Sequence, residues 1–463
     1  MDYDVLILGG GIIGCAVAYE LSKYNLNIAV IEKDYDIADD ISFVNTAVVY
    51  DGSECKNDLM SNLESMGNKL LGEIAKKFNV PFTRRATLRI ADNEVSEKII
   101  EDMYNRSIKR GINGVKMLSE EEAKILEPNL KFNFTKAFYS ENTGVINPYD
   151  LAIAYGEVAF DNGVLFRLEE VVKDIQSVAN GFVVTTNKSK INCRFVVNTI
   201  PGDNYSIDQE SKVSSEEILK SYYLLLNQKK ESYSNLIFKI EDSNQFISHI
   251  PGANGQIVIG INSDKPIGFY KSLRKSKALV PDISNSDVNN VFYDDHHKDL
   301  IIIDDNEINK GYIKVTGKHY AEVTISPAIA NLICETVVNN LKCSKSKNFI
   351  DKRREFYRFR NSSNEERNEL ISVDSRYGKI ICICNLISEG EIVDCIRRPL
   401  GARTVEGVKR RTNATFGKCH GAQCIGKIID ILARELDKKP TDIVEDSKNS
   451  KVLGSRIKEF NDI

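Results

Sequence analysis

No apolar run in the 463-residue chain approaches the roughly 18 residues needed to cross a bilayer, which excludes a helical membrane span. No basic excess is present: 62 Lys+Arg against 66 Asp+Glu give a formal charge of −4, which argues against a nucleic-acid binder. The first apolar stretch, Val5 to Leu8, follows acidic residues and runs into glycines, so it does not read as a signal peptide. Without an export signal, the 10 cysteines point to thiol or metal chemistry and not to a disulfide framework. There is no tryptophan, no internal repeat and no low-complexity tract. What is present, 42% hydrophobic and 28% charged residues, is ordinary for a multi-domain globular enzyme, expected in the cytoplasm, directly or at a membrane through a partner.

The opening reads strand, glycine turn, helix, strand: Asp4–Leu8, GGGIIG, Cys15–Tyr24, Asn27–Ile31. Gly9, Gly11 and Gly14 form GxGxxG, where the first glycine permits the tight turn. The second lets backbone approach a pyrophosphate, and the third lets helix and strand pack. The helix start offers unpaired N–H groups to phosphates. Glu32, 18 residues after Gly14, ends the second strand where a carboxylate accepts from ribose hydroxyls. That acid disfavours a 2′-phosphate, leaving FAD or NAD. The bland alternative is a glycine-rich turn that binds nothing.

Leu59, Leu63, Met66, Leu70 and Ile74 predict an amphipathic helix with that stripe in the core, and a second helix is expected at Val95–Arg110. From Gly163 short β-rich runs follow: Val164–Leu168, Gly181–Thr186, Asn192–Val197, Ser221–Leu226, Asn235–Ile240, Gln256–Gly260, Leu300–Ile303 and Tyr312–Thr316. A later helix is expected to hold Pro327 in its first turn and to bury Ile329, Leu332, Ile333 and Val337. Cys343 to Glu369 is polar and reads as a connector, and Lys438 to Ile463 as a peripheral tail. His296 and His297, among Asp294, Asp295 and Asp299, read as an exposed turn.

Cys382 and Cys384 form CxC, 34 residues separate Cys384 from Cys419, and Cys419 and Cys424 form CxxxxC. Two such pairs can hold zinc or a [2Fe–2S] cluster, and this spacing suits the two-iron cluster better; reduced structural thiols are the alternative. Arg397, Arg398, Arg403, Lys409, Arg410, Arg411 and Lys418 lie between the pairs, either easing cluster reduction or forming a solvated face. Cys15, Cys193 and Cys334 read as small buried hydrophobes, Cys55 and Cys343 as loop residues, and Cys395 as a helical residue.

The chain resembles the FAD-dependent oxidoreductases of the D-amino-acid oxidase and glycine oxidase superfamily. Within it, the chain is similar to anaerobic glycerol-3-phosphate dehydrogenase-type proteins with a C-terminal module like bacterioferritin-associated ferredoxin. The resemblance rests on GGGIIG…VIEKD (Gly9–Asp34), VNTAVVYDG (Val44–Gly52), VPFTRRATLRIA (Val80–Ala91), EPNL (Glu127–Leu130), TGVINPYDL (Thr143–Leu151), TISPAIA (Thr324–Ala330), and RYGKIICICNLISEGEIVDCIRRPLGARTVEGVKRRT with GKCHGAQC. It implies an α/β and α+β fold: a discontinuous Rossmann-like FAD-binding domain, an inserted mixed-sheet substrate domain and a small helical [2Fe–2S] module. The oxidoreductase region would span 1–345, with FAD-binding parts near 1–80, 145–215 and 300–345 and cap parts near 81–144 and 216–299. A linker at 346–375, the cluster domain at 376–437 and a tail at 438–463 would follow.

The resemblance implies FAD held at Gly9, Gly11, Gly14, Glu32, Asn45, Thr46 and Val172, and a cluster on Cys382, Cys384, Cys419 and Cys424. It also implies oxidation of a small anionic substrate, glycerol 3-phosphate or a 2-hydroxy acid, by hydride transfer to flavin, with electrons relayed through the cluster to a partner protein or subunit. Arg84, Arg85 and Arg89 are candidate anion contacts, of which alternation lets only one face point inward. The catalytic residue is unassigned, because the reaction centre departs from the family. Tyr50 stands where a histidine is usual, Pro201 at a glycine, and Glu322 in the Gly-Leu-Thr loop; Asp295 and His296 lie where an arginine is expected. These departures motivate a second reading, a degenerate electron-transfer or scaffold subunit; an amino-acid or opine-type dehydrogenase is a third.

Overall fold

The computed structural model describes residues 1–39, 48–202, 205–208, 218–226, 233–242, 245–253, 255–297, 301–303, 310–316 and 319–454. The chain divides into two compact units, one of residues 1–39, 152–196 and 343–463, the other of 40–151 and 197–342.

The first unit is built on Tyr3–Leu8 and Ile28–Ile31, parallel neighbours whose apolar residues are buried, as expected of strands covered on both faces. Leu165–Arg167 adds in parallel beyond Ile28–Ile31. On the other side lie Lys190–Asn198, Gly181–Thr186 and Val172–Val178, the last two joined as an antiparallel hairpin. The first helix, Ile12–Leu21, is apolar nearly all round and correspondingly buried.

The C-terminal part of this unit opens with a short hairpin, Ile380–Cys382 with Ile387–Ser388. The helices Glu389–Arg397, Val405–Thr412 and Ile425–Leu436 then close over a core of Ile392, Cys395, Ile396, Val408, Ile428 and Leu432. The stretch read as a connector is not slack. Asn25 N–H donates to Ser344 O at 2.9 Å, Tyr19 Oη to Asp351 at 2.7 Å, and Arg353 Nε meets Glu157 at 2.6 Å. It also contains a capped helix, Asn364–Val373. The tail is less peripheral than expected: Ile443 and Val444 are buried, and Val444 O and Glu445 O accept from Val405 and Glu406.

The second unit carries an eight-stranded mixed sheet, ordered Val288–His297, Ile218–Leu226, Ile257–Ser263, Phe246–Pro251, Leu236–Ile240, Thr87–Ala91, Lys136–Ser140, Val115–Ser119. Only the pairing of Leu236–Ile240 with Thr87–Ala91 is parallel. Leu88, Ile90, Ala137, Leu224, Ile237, Ile247, Ile259 and Ile261 pack together on one face. The cross-strand register puts Phe138, Arg89, Phe238, Ser248, Gly260 and Tyr223 in one row of the opposite face. Asp294 to His297, expected as a turn, end the strand Val288–His297.

Two helix faces differ from expectation. In Asp58–Lys77 the buried side is Met60, Leu63, Gly67, Leu71 and Ile74, while Leu59 and Met66 are exposed. The helix is rotated because Gly67 abuts the helix Glu322–Leu341: a Cβ there would lie 1.8 Å from Thr324 O. In Glu322–Leu341, Leu332 is exposed and Pro327 sits in the second turn, not the first. The carbonyl that Pro327 cannot serve, Val323 O, accepts instead from Ser326 Oγ at 2.9 Å.

Candidate functional site

The glycine turn is held from both sides. Gly9 takes φ +98°, a left-handed conformation that favours glycine, and donates its N–H to Ile31 O at 2.9 Å. Gly10 N–H donates to Glu32 Oε2 at 2.6 Å, and Gly10 O accepts from Ala38 N at 2.9 Å. Glu32 Oε1 accepts from Asp34 N at 3.0 Å, so the predicted acid is buried and fixed beside the loop. Gly11 is the N-cap of the first helix and has no side-chain cap; a Cβ there would meet nothing within 4 Å. An uncapped helix start with open space at its second glycine is the cradle a pyrophosphate requires, and the residues fit FAD. Gly9, Gly11, Gly14 and Glu32 come together. Val172 begins the outermost strand of this sheet, two residues after Glu170, whose N–H donates to Glu32 O at 2.8 Å. Asn45 and Thr46 lie outside the described residues.

The four predicted cysteines also converge. Cys384 and Cys419 Sγ are 3.7 Å apart, and Cys382 and Cys424 share a hydrogen bond. That bond, with backbone donors at Thr415, Asn385 and Cys384, pulls the Cys382 thiol down to about 6 and pushes the Cys424 thiol up. Cys419 is also lowered, chiefly by the backbone at Gln423. With Cys382 and Cys419 held below the ordinary thiol range and all four sulfurs brought together, the donor set suits iron. Gly417 makes the approach possible, since a Cβ there would stand 2.1 Å from Cys384 Cβ. Thr415, His420 and Gly421 all take positive φ as the chain winds around the sulfurs. All ten cysteines are free, and Cys395, inside the same module, is buried and donates to Ile392 O.

The basic residues between the pairs are mostly neither solvated nor directed to the cluster. Arg411 is buried and bidentate to Asp36 at 2.6 and 2.7 Å, and Arg410 pairs with Asp39. Arg398 holds Glu157 at 2.8 Å, and Lys409 pairs with Glu406 at 2.7 Å. Arg410 and Arg411 fasten the cluster module to the segment that follows Glu32, and Arg398 fastens it to the helix Pro148–Asp161.

In the second unit the three candidate arginines separate. Arg84 is exposed and donates to Asn68 and Asn142 O, and Arg85 donates to Ser234 O. Arg89 is fully buried between Phe138 and Phe238 and paired with Glu54. Around it lies a polar group that sequence reasoning missed. Tyr320 Oη donates to Glu64 at 2.8 Å, the Tyr50 ring stands edge-on to Tyr320, and ligand atoms of Cys55, Glu64 and His319 lie within 4.8 Å of one another. His319 Nδ1 accepts from Ala321 N–H at 3.1 Å. Burial, followed by the charges of Glu54 and Asp51, pushes Glu64 up to about 8 against the opposing Tyr320 bond. Tyr50 N–H is held by Thr324 Oγ1 at 3.1 Å, which locks the position where the family keeps a histidine. No periodicity signals these residues, because they come from segments more than 250 positions apart.

Residues 4–336 match the FAD dependent oxidoreductase family, and residues 380–434 match the BFD-like [2Fe-2S] binding domain. The glycerol 3-phosphate dehydrogenase of Caloramator mitchellensis is 33% identical over 470 residues, covering 97% of this chain and 98% of that protein. The mitochondrial L-2-hydroxyglutarate dehydrogenase of Dictyostelium discoideum is 30% identical over 158 residues, 33% of this chain and 35% of its own. Among solved structures, the FAD-bound L-alpha-glycerophosphate oxidase of Mycoplasma pneumoniae shares the fold. Its TM-score is 0.64 at 23% identity, over 76% of this chain and 98% of that one. With its glycine cradle, its four converging thiols and a full-length relative, this chain belongs to the FAD dependent oxidoreductase family and carries a C-terminal BFD-like [2Fe–2S] domain.

Proposed function

We propose that the protein oxidises glycerol 3-phosphate or an L-2-hydroxy acid and releases the electrons one at a time through its C-terminal domain. The observation that carries this reading is the end-to-end similarity to a glycerol 3-phosphate dehydrogenase, spanning oxidoreductase region and cluster domain together. Gly9, Gly11, Gly14 and Glu32, with Asn45, Thr46 and Val172, would hold FAD, and Cys382, Cys384, Cys419 and Cys424 the cluster. Flavin, when bound, supplies the hydride-accepting centre. The FAD-binding parts would lie near 1–80, 145–215 and 300–345, and the cap parts near 81–144 and 216–299.

What the chain's own residues contribute is positioning and proton handling. Arg89 holds Glu54 in place, and Glu64, protonated at neutral pH by its burial and hydrogen-bonded to Tyr320, is the buried acid available near Tyr50. This pair takes the place of the family histidine that Tyr50 replaces. The partner is a separate electron-accepting protein. No helix among the described residues is long and apolar enough to cross a membrane.

Anaerobic mixing with glycerol 3-phosphate, L-2-hydroxy acids and amino acids tests the reading through the flavin band. Bleaching by one of the first two supports it, and bleaching by an amino acid transfers the activity to an amino-acid dehydrogenase. A flavin-loaded protein that none of them reduces would establish the scaffold reading, which Tyr50, Pro201 and Glu322 favour.

A further inference from the structure

The four cluster thiols differ in their access to solvent. Cys382 and Cys424 are buried, Cys419 is half-buried and Cys384 is exposed. Around the two accessible thiols the surface is unusual in both its apolar groups and its charge. Ile383, between the CxC cysteines, is 62% exposed, and Leu386, at the tip of the same hairpin, is 44% exposed. Leu386 adopts φ +53°, a left-handed conformation that is costly for a branched apolar residue. Asn385 Nδ2 fixes the turn on Asn413 O at 2.7 Å. A bulky apolar side chain held outward by a strained, pinned backbone is not explained by the domain core, which it does not join.

The charge is one-sided. No Asp or Glu occurs between Ile380 and Ser388 or between Asn413 and Ile429, the two segments that carry the cysteines. Both contain only cationic or neutral residues, with Lys418 and Lys427 exposed and in no ion pair among the described residues. Lys379, just before the hairpin, is neutralised by Glu389 at 2.7 Å. Arg398, Lys409, Arg410 and Arg411 are committed to buried carboxylates, and Arg403 donates to Ile396 O. Thus a chain of net charge −4 carries two exposed apolar side chains next to Cys384 and an exposed lysine next to Cys419, whose Sγ lies 3.7 Å from that of Cys384. Lys427 follows three residues after Cys424, and Asp430, one helical turn on, is the first acid beyond it. Apolar centres with charged rims are the anatomy of transient protein interfaces, and rim charge sets encounter rate and partner sign.

We propose that Ile383 and Leu386, flanked by Lys418 and Lys427, form the docking surface for a small acidic one-electron carrier protein of the ferredoxin class. The proposal rests on the cluster assignment above and adds the site and the sign of charge of the partner. With a cluster held by Cys382, Cys384, Cys419 and Cys424, each docking would let one electron pass to the oxidised carrier, with no bond made and no proton moved, so that two dockings would clear the two electrons of one substrate.

The test uses the full-length protein with its iron and sulfide counted, an acidic [2Fe–2S] ferredoxin and, for contrast, a basic c-type cytochrome. Binding is measured by titration calorimetry across a salt series. The ferredoxin is expected to bind and to weaken steadily with added NaCl. The double variant Lys418→Glu/Lys427→Glu should weaken it by roughly tenfold or more at low salt and flatten the salt dependence, with iron content unchanged. Leu386→Asn keeps a residue that tolerates the left-handed turn but removes the apolar contact, and should weaken binding by a similar factor at every salt concentration, without altering the salt slope. Ferredoxin binding that ignores both charge and salt in iron-replete protein, or tighter binding of the basic cytochrome, would overturn the proposal. Iron-free wild-type protein would instead overturn the cluster assignment beneath it.

Discussion

The two compact units bury charge in different ways. In the first, Arg398 and Arg411 meet Glu157 and Asp36 in close pairs, each cation answered by a carboxylate, while Arg410 meets Asp39, whose carboxyl is pushed up to about 8 by burial. In the second, beside the balanced pair Lys314–Asp208, Arg89 lies among Glu54, Asp51 and Glu64, and burial pushes Glu64 up to about 8 with no cation bonded to it among the described residues. Balanced burial is what a fastening needs, because an unpaired internal charge is expensive. Imbalance that shifts a titration toward neutrality is what chemistry needs. The first unit fastens its C-terminal module with such pairs, and the second keeps Glu64 bonded to a neutral tyrosine instead of a cation.

The sharpest way to break that contrast is to remove a holding residue. Cys419→Ser replaces a thiolate by a hydroxyl that keeps its proton at neutral pH, so iron and sulfide should fall to background while FAD content stays. Cys395→Ser, buried but outside both pairs, should keep full iron. Gly11→Val should nearly abolish FAD binding in a protein that still folds. The backbone there, at φ −72°, accepts any residue, and the added side chain meets open space where the pyrophosphate would lie. FAD titration followed by flavin fluorescence, with circular dichroism to establish folding, separates the two effects.

Arg411→Met tests the fastening. Removing both close Arg411 hydrogen bonds to buried Asp36, which leaves it only Arg410, at 3.8 Å, as an ion-pair partner among the described residues, should cost about 3–5 kcal/mol in urea unfolding. The smallest effect belongs to the second unit. Glu64 has its proton affinity raised by folding, so its contribution to stability is fully present below about pH 4.5 and is lost as pH rises through about 8. Glu64→Gln, which keeps an acceptor for Tyr320, should therefore raise Tm by a few degrees at pH 8.5 and by much less at pH 5. An equal change at both pH values would place the cause in packing.

The contrast also marks how far the sequence could be read. The glycine cradle and the thiol set are built from short contiguous motifs, GGGIIG with Glu32, and CxC with CxxxxC, whose spacing already states their geometry. The polar group around Arg89 joins residues 50–64 to 319–320, and only tertiary contact brings them together. Helix faces fall between these extremes. Periodicity identified Asp58–Lys77 as amphipathic, but hydrophobicity cannot show that Gly67 sets the contact and turns Leu59 and Met66 outward. The arginines of the cluster module were legible as charge and illegible as partners, since Asp36 and Glu157 lie hundreds of residues away.

That fastening has an evolutionary consequence. Glu157 and Asp36 are almost wholly buried, and the cations that neutralise them all come from beyond residue 343. An ancestor that gained this appendage could acquire such acids afterwards, once their counter-ions were in place. A descendant that dropped it would lose these cations together with the surface they belong to, and would expose on the remaining unit a face that carries Glu157 and Asp36. The appendage thus leaves an acidic imprint on the part that precedes it, and truncation would turn that imprint from a buried joint into a negatively charged surface.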